Sequence, residues 1–231
     1  MSDALNAWQL VISGDASFIA IVRLSLLVSL SAVALAAAIG LPLGATLALT
    51  RFPGRFALIV LLNAFMGLPP VVVGLVVYLL LSRSGPLGAL GILYTPPAMV
   101  LAQALLVAPI IAALARQTVE DLWTEYCDEL TAMDVGPFRR MATLLWDTRL
   151  SLLTALLAGF GRAAAEVGTV MVVGGNIEGF TRTMTTSIAL ETSKGDLPLA
   201  MGLGLILMIV VLVINTIAWI IRLWSEQRVV S

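Results

Sequence analysis

The chain has 231 residues, 60% of them hydrophobic and only 12% charged, with a net charge of −1. Soluble domains carry about 25% charged residues, so these proportions describe an integral membrane protein in a lipid bilayer and give no footing for a nucleic-acid partner. One cysteine, Cys127, excludes an intrachain disulfide, and the lack of histidine removes the commonest general base and the usual zinc and haem ligands; no metal site is expected.

In chain order, residues 1–17 carry Asp3 and Asp15 but no Lys or Arg, which is not the basic start of a cleavable leader. Leu5, Trp8, Val11 and Ile12 share helical spacing and predict a short interfacial helix, or else a frayed tail before the first span. Five stretches then reach the roughly 20 apolar residues that cross a bilayer: about 24–50, 56–81, 92–115, 150–175 and 197–221. The expected fold is therefore all-α, a single transmembrane domain of five helices. The first span holds Ser25 and Ser29, and then Gly40-Leu-Pro-Leu-Gly44, spacings suited to close helix contact. The second carries Pro69 and Pro70, and the third Pro97 and Pro109, which spanning helices tolerate when neighbours satisfy the freed backbone.

Residues 116–149 form the longest polar stretch. Thr118-Val-Glu-Asp121 is similar to a helix-starting capping box, and Val119, Leu122, Tyr126, Leu130 and Met133 follow helical spacing. Gly136 is expected to stop that helix and Pro137 to begin another, with Phe138, Met141 and Leu145 as its apolar stripe. The result is a helical hairpin, read either as a solvated connector or as a docking element for a partner. Six carboxylates between Glu120 and Asp134, with no basic residue among them, argue against DNA reading.

The fourth span contains Arg162 and Glu166, four residues apart. A charge at mid-membrane costs about 2.5–3.5 kcal/mol on insertion scales, so mutual neutralisation on one helical face is expected. Arg before Glu is the less favourable order, which favours a further bond from one of them to a neighbouring helix or a broken-helix carbonyl. A structural tie, a gate and direct anion contact by Arg162 all remain open. Beyond the span, Asn176, Thr181, Arg182, Thr183, Thr185, Thr186 and Ser187 offer amide, hydroxyl and guanidinium donors beside a flexible Gly174-Gly175 backbone; they form either an anion-contacting segment or an ordinary polar re-entrant loop. Eight Lys or Arg residues lie on the side of the hairpin and four on the other. The positive-inside rule then places the C-terminus in the cytoplasm and the N-terminus outside, with Trp219 and Trp224 at the inner interface.

On these residues the chain resembles the permease subunits of ATP-binding-cassette importers. Their docking loop reads Glu-Ala-Ala, three residues, then Gly; here Gly136 takes the glycine place, Thr131-Ala132 the alanine places, and Leu130 the glutamate place, with Glu129 displaced by one. Met66-Gly-Leu-Pro-Pro-Val-Val-Val-Gly74, Phe160-Gly-Arg-Ala-Ala-Ala-Glu-Val-Gly168 and Gly175-Asn-Ile-Glu-Gly179 are similar to segments of the molybdate, sulfate and tungstate group. Gly174-Gly-Asn-Ile, Met184-Thr-Thr-Ser-Ile and Leu190-Glu-Thr-Ser-Lys-Gly-Asp196 look most like its tungstate branch.

The resemblance implies the type I importer permease fold and a homodimer in a prokaryotic cell membrane. It also implies two cytoplasmic ATPase subunits that bind ATP and Mg, and an extracytoplasmic oxyanion-binding protein. Glu129, Ala132, Gly136, Phe138, Arg139 and Arg140 would couple to the ATPase. Asn176, Thr181, Arg182, Thr183, Pro69 and Pro70 would line the anion pathway or gate. This chain would bind no cofactor itself, since it has no phosphate-binding G-x-x-x-x-G-K-[S/T] loop. The alternatives are a molybdate or sulfate permease, or a stand-alone channel or secondary transporter. An intramembrane enzyme is disfavoured by the absence of H-E-x-x-H and G-x-S-x-G motifs and of a mid-membrane carboxylate pair, so no catalytic residue is expected.

Overall fold

Long apolar runs broken only by Gly, Pro and short polar turns leave the backbone one economical way to satisfy itself in lipid, the α-helix. A computed structural model describes residues 16–230, which form nine α-helices and one 3-10 turn, with no strand among the described residues. Leu5, Trp8, Val11 and Ile12 lie outside them. The helices are α1 (Ala16–Leu49), α2 (Arg55–Met66), α3 (Pro70–Leu81), α4 (Pro96–Ala132), α5 (Pro137–Asp147), α6 (Arg149–Ala164), α7 (Gly168–Gly174), α8 (Met184–Lys194) and α9 (Leu197–Val230).

Three of them, α1, α4 and α9, are long and apolar enough to cross a membrane, and the number rises to five if each of two bent pairs is one span. The expected second span is one of these pairs: α2 and α3 meet at 103° around Gly67-Leu-Pro69. Pro69 is the extended N-cap of α3 and Pro70 its first residue, where a missing N–H leaves no bond unmade. The other pair is α5 with α6, bent by 75°. The expected fourth span, 150–175, is not a continuous helix. It is α6 followed, after a break at residues 165–167, by the seven-residue α7.

The core lies where α1, α4 and α6 cross. Ala32, Val33 and Ala36 meet Ala104, Val107, Ile111, Phe160 and Ala163. Small residues dominate because helix association in lipid rests on close van der Waals packing rather than on expelling water. Gly40 and Gly44 show this on α1: an added Cβ would sit 3.0 Å from Ala108 O and 2.4 Å from Ala112 O of α4. Large apolar side chains such as Leu27, Ile39, Leu79, Met208 and Leu212 point outward, as lipid-facing surfaces require.

The polar hairpin is built differently from its sequence reading. Thr118 starts no helix; α4 runs unbroken for 37 residues from Pro96 through Ala132, because every residue across 116–120 is a tolerable helix former and Arg116 pairs with Glu120 at i,i+4. The stop comes before Gly136: Met133 is the C-cap and Asp134 takes the left-handed conformation at φ 50°. Gly136 is instead the extended N-cap of α5, with Pro137 at its first position. The stripe on α5 is Met141, Leu144 and Leu145, packed on Ala45, Ala48 and Val119. Phe138 is not part of it and is 75% exposed.

Candidate functional site

Two helix breaks meet inside the bundle. α6 ends at Ala164 with Arg162 in its last turn, where the helix dipole favours a cation. Arg162 Nη1 donates to Glu166 Oε2 at 2.6 Å; Glu166 is 3% exposed and the Arg162 side chain 30%. The second carboxylate oxygen does separate work: Glu166 Oε1 accepts the backbone N–H of Thr169 at 3.0 Å. Val167, the N-cap of α7, supplies no side-chain acceptor, so the carboxylate one residue upstream satisfies an amide that the helix start leaves open. Glu166 O accepts Thr185 Oγ1 at 2.8 Å, and Gln103 Nε2 of α4 donates to Ala163 O at 3.1 Å. The break therefore has its backbone groups held from three sides.

The second break is attached to the first. Thr169 Oγ1 donates to Pro70 O at 2.7 Å, across 99 positions of chain. The backbones of α3 and α7 touch nearby: an added Cβ on Gly74 would lie 2.9 Å from Thr169 Cα, and one on Gly168 2.6 Å from Val71 Cγ2. Arg162, Glu166 and Pro70 are thus brought into one unit, and Pro69 stands exposed at the bend beside it. Thr169, Gln103 and Gly74 were not singled out from the sequence. The Gly-Leu-Pro-Pro string carries helix-interrupting residues, but the Ala-Glu-Val stretch before Gly168 holds no strong breaker, and nothing in one dimension pairs the two.

At the other end of α7, Gly175 and Asn176 both have positive φ, 72° and 49°, and turn the chain into a tight loop. Thr181 Oγ1 donates to Gly174 O at 2.6 Å and accepts Ile177 N at 2.9 Å. Thr183 caps α8 in a reciprocal capping box with Thr186, and Met184 N donates to Ser25 Oγ of α1 at 2.7 Å. The hydroxyls of Thr181 and Thr183 are consequently committed inside the protein. Of the two readings of this segment, the Thr181 and Thr183 hydroxyls fit the polar loop: Thr181 spends its one proton on Gly174 O, and Thr183 meets the Thr185 and Thr186 hydroxyls.

Arg182 is placed otherwise. It reaches the exposed Glu178 at 3.3 Å, its Nε is buried without a partner, and so is Ser187 Oγ. Both line a cavity of about 770 Å³ between α8, α9 and the start of α1, together with Glu178, Glu191, Lys194 and Asp196. Asn176 lies outside that cavity, with its Oδ1 buried and without a partner. Two cations against three carboxylates give the cavity no surplus positive charge.

The hairpin turn lies far along the chain from these breaks. Glu129, Ala132, Gly136, Phe138 and Arg139 are all exposed there. Arg140 is folded back, with Nε donating to Val135 O at 2.5 Å and its guanidinium 5.6 Å over the Trp123 ring. Met133, 73% exposed, and Phe138 display two large apolar side chains at the turn, while Trp146, 68% exposed, lies at the far end of α5. No group of His, Cys, Asp and Glu able to hold a metal ion occurs among the described residues.

Broken helices tied together at buried polar groups, inside a bundle of spanning helices, define a multi-pass membrane protein of the kind that moves solutes. Over 213 residues the chain is 39% identical to the tungstate uptake system permease protein of Peptoclostridium acidaminophilum, covering 92% of this chain and 93% of that one. A probable anion ABC transporter permease protein of Haloferax volcanii is 40% identical over 86% of this chain and 88% of its own. The tungstate uptake system permease protein of Campylobacter jejuni is 35% identical over 92% and 89%. No protein-family model matches the chain. The chain belongs to the family of anion ABC transporter permease proteins.

Proposed function

We propose that this protein is the membrane-spanning subunit of an ATP-driven importer for a tetrahedral oxyanion, and that the oxyanion is tungstate. The observation that carries the reading is similarity along nearly the entire chain to a tungstate uptake permease, including both helix breaks and the hairpin. The protein works as a homodimer with the hairpin and C-terminus in the cytoplasm, in line with eight basic residues on that side against four on the other. A pair of ATPase subunits grips the exposed turn around Gly136 and Phe138, and an extracytoplasmic binding protein delivers the anion to the opposite face. ATP hydrolysis belongs to the partner subunits.

Within this chain, the paired breaks act as the moving part. Closure of the ATPase pair pulls on the hairpin, whose α5 leads directly into α6, and α6 ends at the Arg162–Glu166 tie. From there Thr169 passes the displacement to Pro70 and the bent α2–α3 pair. Arg162 acts as the partner of Glu166 rather than as an anion ligand, since the adjoining carboxylate would repel a dianion at this range. Arg182, with Asn176 close by in the chain, is the better candidate on the outer side, because its partner Glu178 is exposed to water, which screens it, and its buried Nε is left without a partner.

Reconstitution of the complex in vesicles tests the reading, with ATP-dependent uptake of tungstate measured against molybdate and sulfate competitors. Tungstate uptake resistant to excess sulfate is expected. Preferential import of molybdate or sulfate would overturn the assignment of cargo, and uptake without any ATPase subunit would overturn the importer reading itself.

A further inference from the structure

The hairpin end of the bundle holds a second polar cavity, separate from the one beside Arg182. The end of α1, the start of α2 and the middle of α4 enclose about 370 Å³, lined by Arg51, Arg55, Glu120, Trp123 and Thr124. Glu120 accepts from Arg55 Nη2 at 2.7 Å and also from Arg116. One carboxylate therefore faces two guanidiniums, and Arg51 adds a third on the cavity wall. Arg51 and Arg55 against Glu120 leave the lining a surplus of one positive charge, and Arg116, bonded to Glu120 from outside the lining, neutralises that carboxylate further. The nearby carboxylates Asp121 and Glu125 do not line the cavity.

The arginines are also pre-positioned. Arg55 Nε donates to Leu47 O at 2.7 Å, which fixes the plane of its guanidinium. Arg116 Nε is buried with no partner. Arg51 is exposed and makes no side-chain bond among the described residues. Trp123 closes one wall, and the Arg140 guanidinium over its ring adds a further cation behind it. Positive charge in a cytoplasmic loop is enough to set membrane orientation; it does not require Arg51 of the α1–α2 turn and Arg55 of α2 to line one hollow whose glutamate also holds Arg116 of α4. Guanidinium groups present paired N–H donors matched to tetrahedral oxyanions, and charge-assisted bonds of this type are the strong ones.

We propose that this cavity is a binding site for a tetrahedral oxyanion group. The site rests on the function proposed above only for its cytoplasmic placement and for naming the cargo as one possible ligand. The same chemistry has two sources: the free oxyanion on the side where cargo is released, and the phosphate of an inner-leaflet phospholipid.

The full chain, purified in detergent and stripped of lipid, is titrated calorimetrically at low salt with sodium tungstate and with inorganic phosphate, as wild type, Arg51→Ala and Arg51→Lys. In parallel, retention of phosphatidylglycerol is read by native mass spectrometry. Arg182→Ala, at the opposite end, serves as the background control for other anion sites. Loss of one charge-assisted contact weakens the site roughly tenfold, so Arg51→Ala is expected to lose about that much affinity, or the retained phospholipid, with Arg51→Lys recovering part. A drop in free-anion affinity alone identifies the solute as ligand, and a drop in lipid retention alone identifies the headgroup. Wild type and Arg51→Ala behaving alike in both measurements overturns the site. Because Arg51 makes no side-chain bond among the described residues, Arg51→Ala is expected to keep the wild-type unfolding midpoint, which thermal unfolding checks. Wild-type uptake is read separately, so a failed importer and a failed site give different results.

Discussion

Glu166 divides its two carboxylate oxygens between different tasks, and this sets what a substitution there does. Oε2 neutralises Arg162 and Oε1 caps Thr169 N. Glu166→Gln keeps an oxygen for the amide but leaves the guanidinium uncompensated at the break. Removing one partner of a buried pair costs about 3–5 kcal/mol. With 30% of the Arg162 side chain exposed, a loss of roughly 2 kcal/mol follows from the same principle after discounting for access to water. The charge-swapped double variant, Arg162→Glu with Glu166→Arg, separates neutralisation from capping. It restores the ion pair but sets a donor against the Thr169 amide. Uptake is therefore expected to stay impaired in vesicles, and wild-type rates in the swap would show that neutralisation is all the pair provides. Spacing alone disclosed the pair, because i,i+4 charges in an apolar run leave few other choices. The capping role was hidden, because it depends on the helix ending at Ala164 rather than running on, and no residue in 163–167 is a strong breaker.

Elements that the sequence described well are those whose signal is local. Apolar runs predicted α1 and α9, and the Gly40/Gly44 spacing predicted a close neighbour, which is α4. What stayed hidden was which breaks meet, since α3 and α7 are far apart in the chain and joined by one hydroxyl and two glycines. Those glycines yield a graded prediction. At Gly74 an added methyl would press on the Thr169 backbone at 2.9 Å, which moves only if the two helices separate. At Gly168 the obstacle is the Val71 side chain, which can shift. Overpacking costs typically 1–3 kcal/mol, so Gly74→Ala is expected near the upper end, at about 3 kcal/mol, and Gly168→Ala near the lower, at about 1 kcal/mol. Thermal unfolding in detergent and tungstate uptake should rank them in that order. Equal effects would show that the α3–α7 approach is not the constraint.

At the scale of the molecule, the docking role proposed for the hairpin requires it to stay attached to the bundle while offering a surface to a partner, and α5 has a different face for each task. Leu144 is 1% exposed and anchors the helix on Ala45, Ala48 and Val119; Phe138, on the same helix, is 75% exposed. Sequence periodicity assigned both faces the same apolar label, because Phe138, Met141 and Leu145 fit a helical stripe as well as Met141, Leu144 and Leu145 do. Only the packing of α5 on α1 and α4 decides which of them is buried. Leu144→Ala removes a buried anchor and is expected to cost about 2–5 kcal/mol, lowering the unfolding midpoint of the isolated chain and weakening ATPase binding with it. Phe138→Ala touches no buried contact, so the isolated chain should unfold at the wild-type midpoint while co-purification of the ATPase subunits falls sharply. That dissociation between the two readouts is what a docking face requires. If Phe138→Ala left the complex intact, the ATPase would have to grip another part of the hairpin, with Met133 exposed at the turn and Trp146 at the far end of α5.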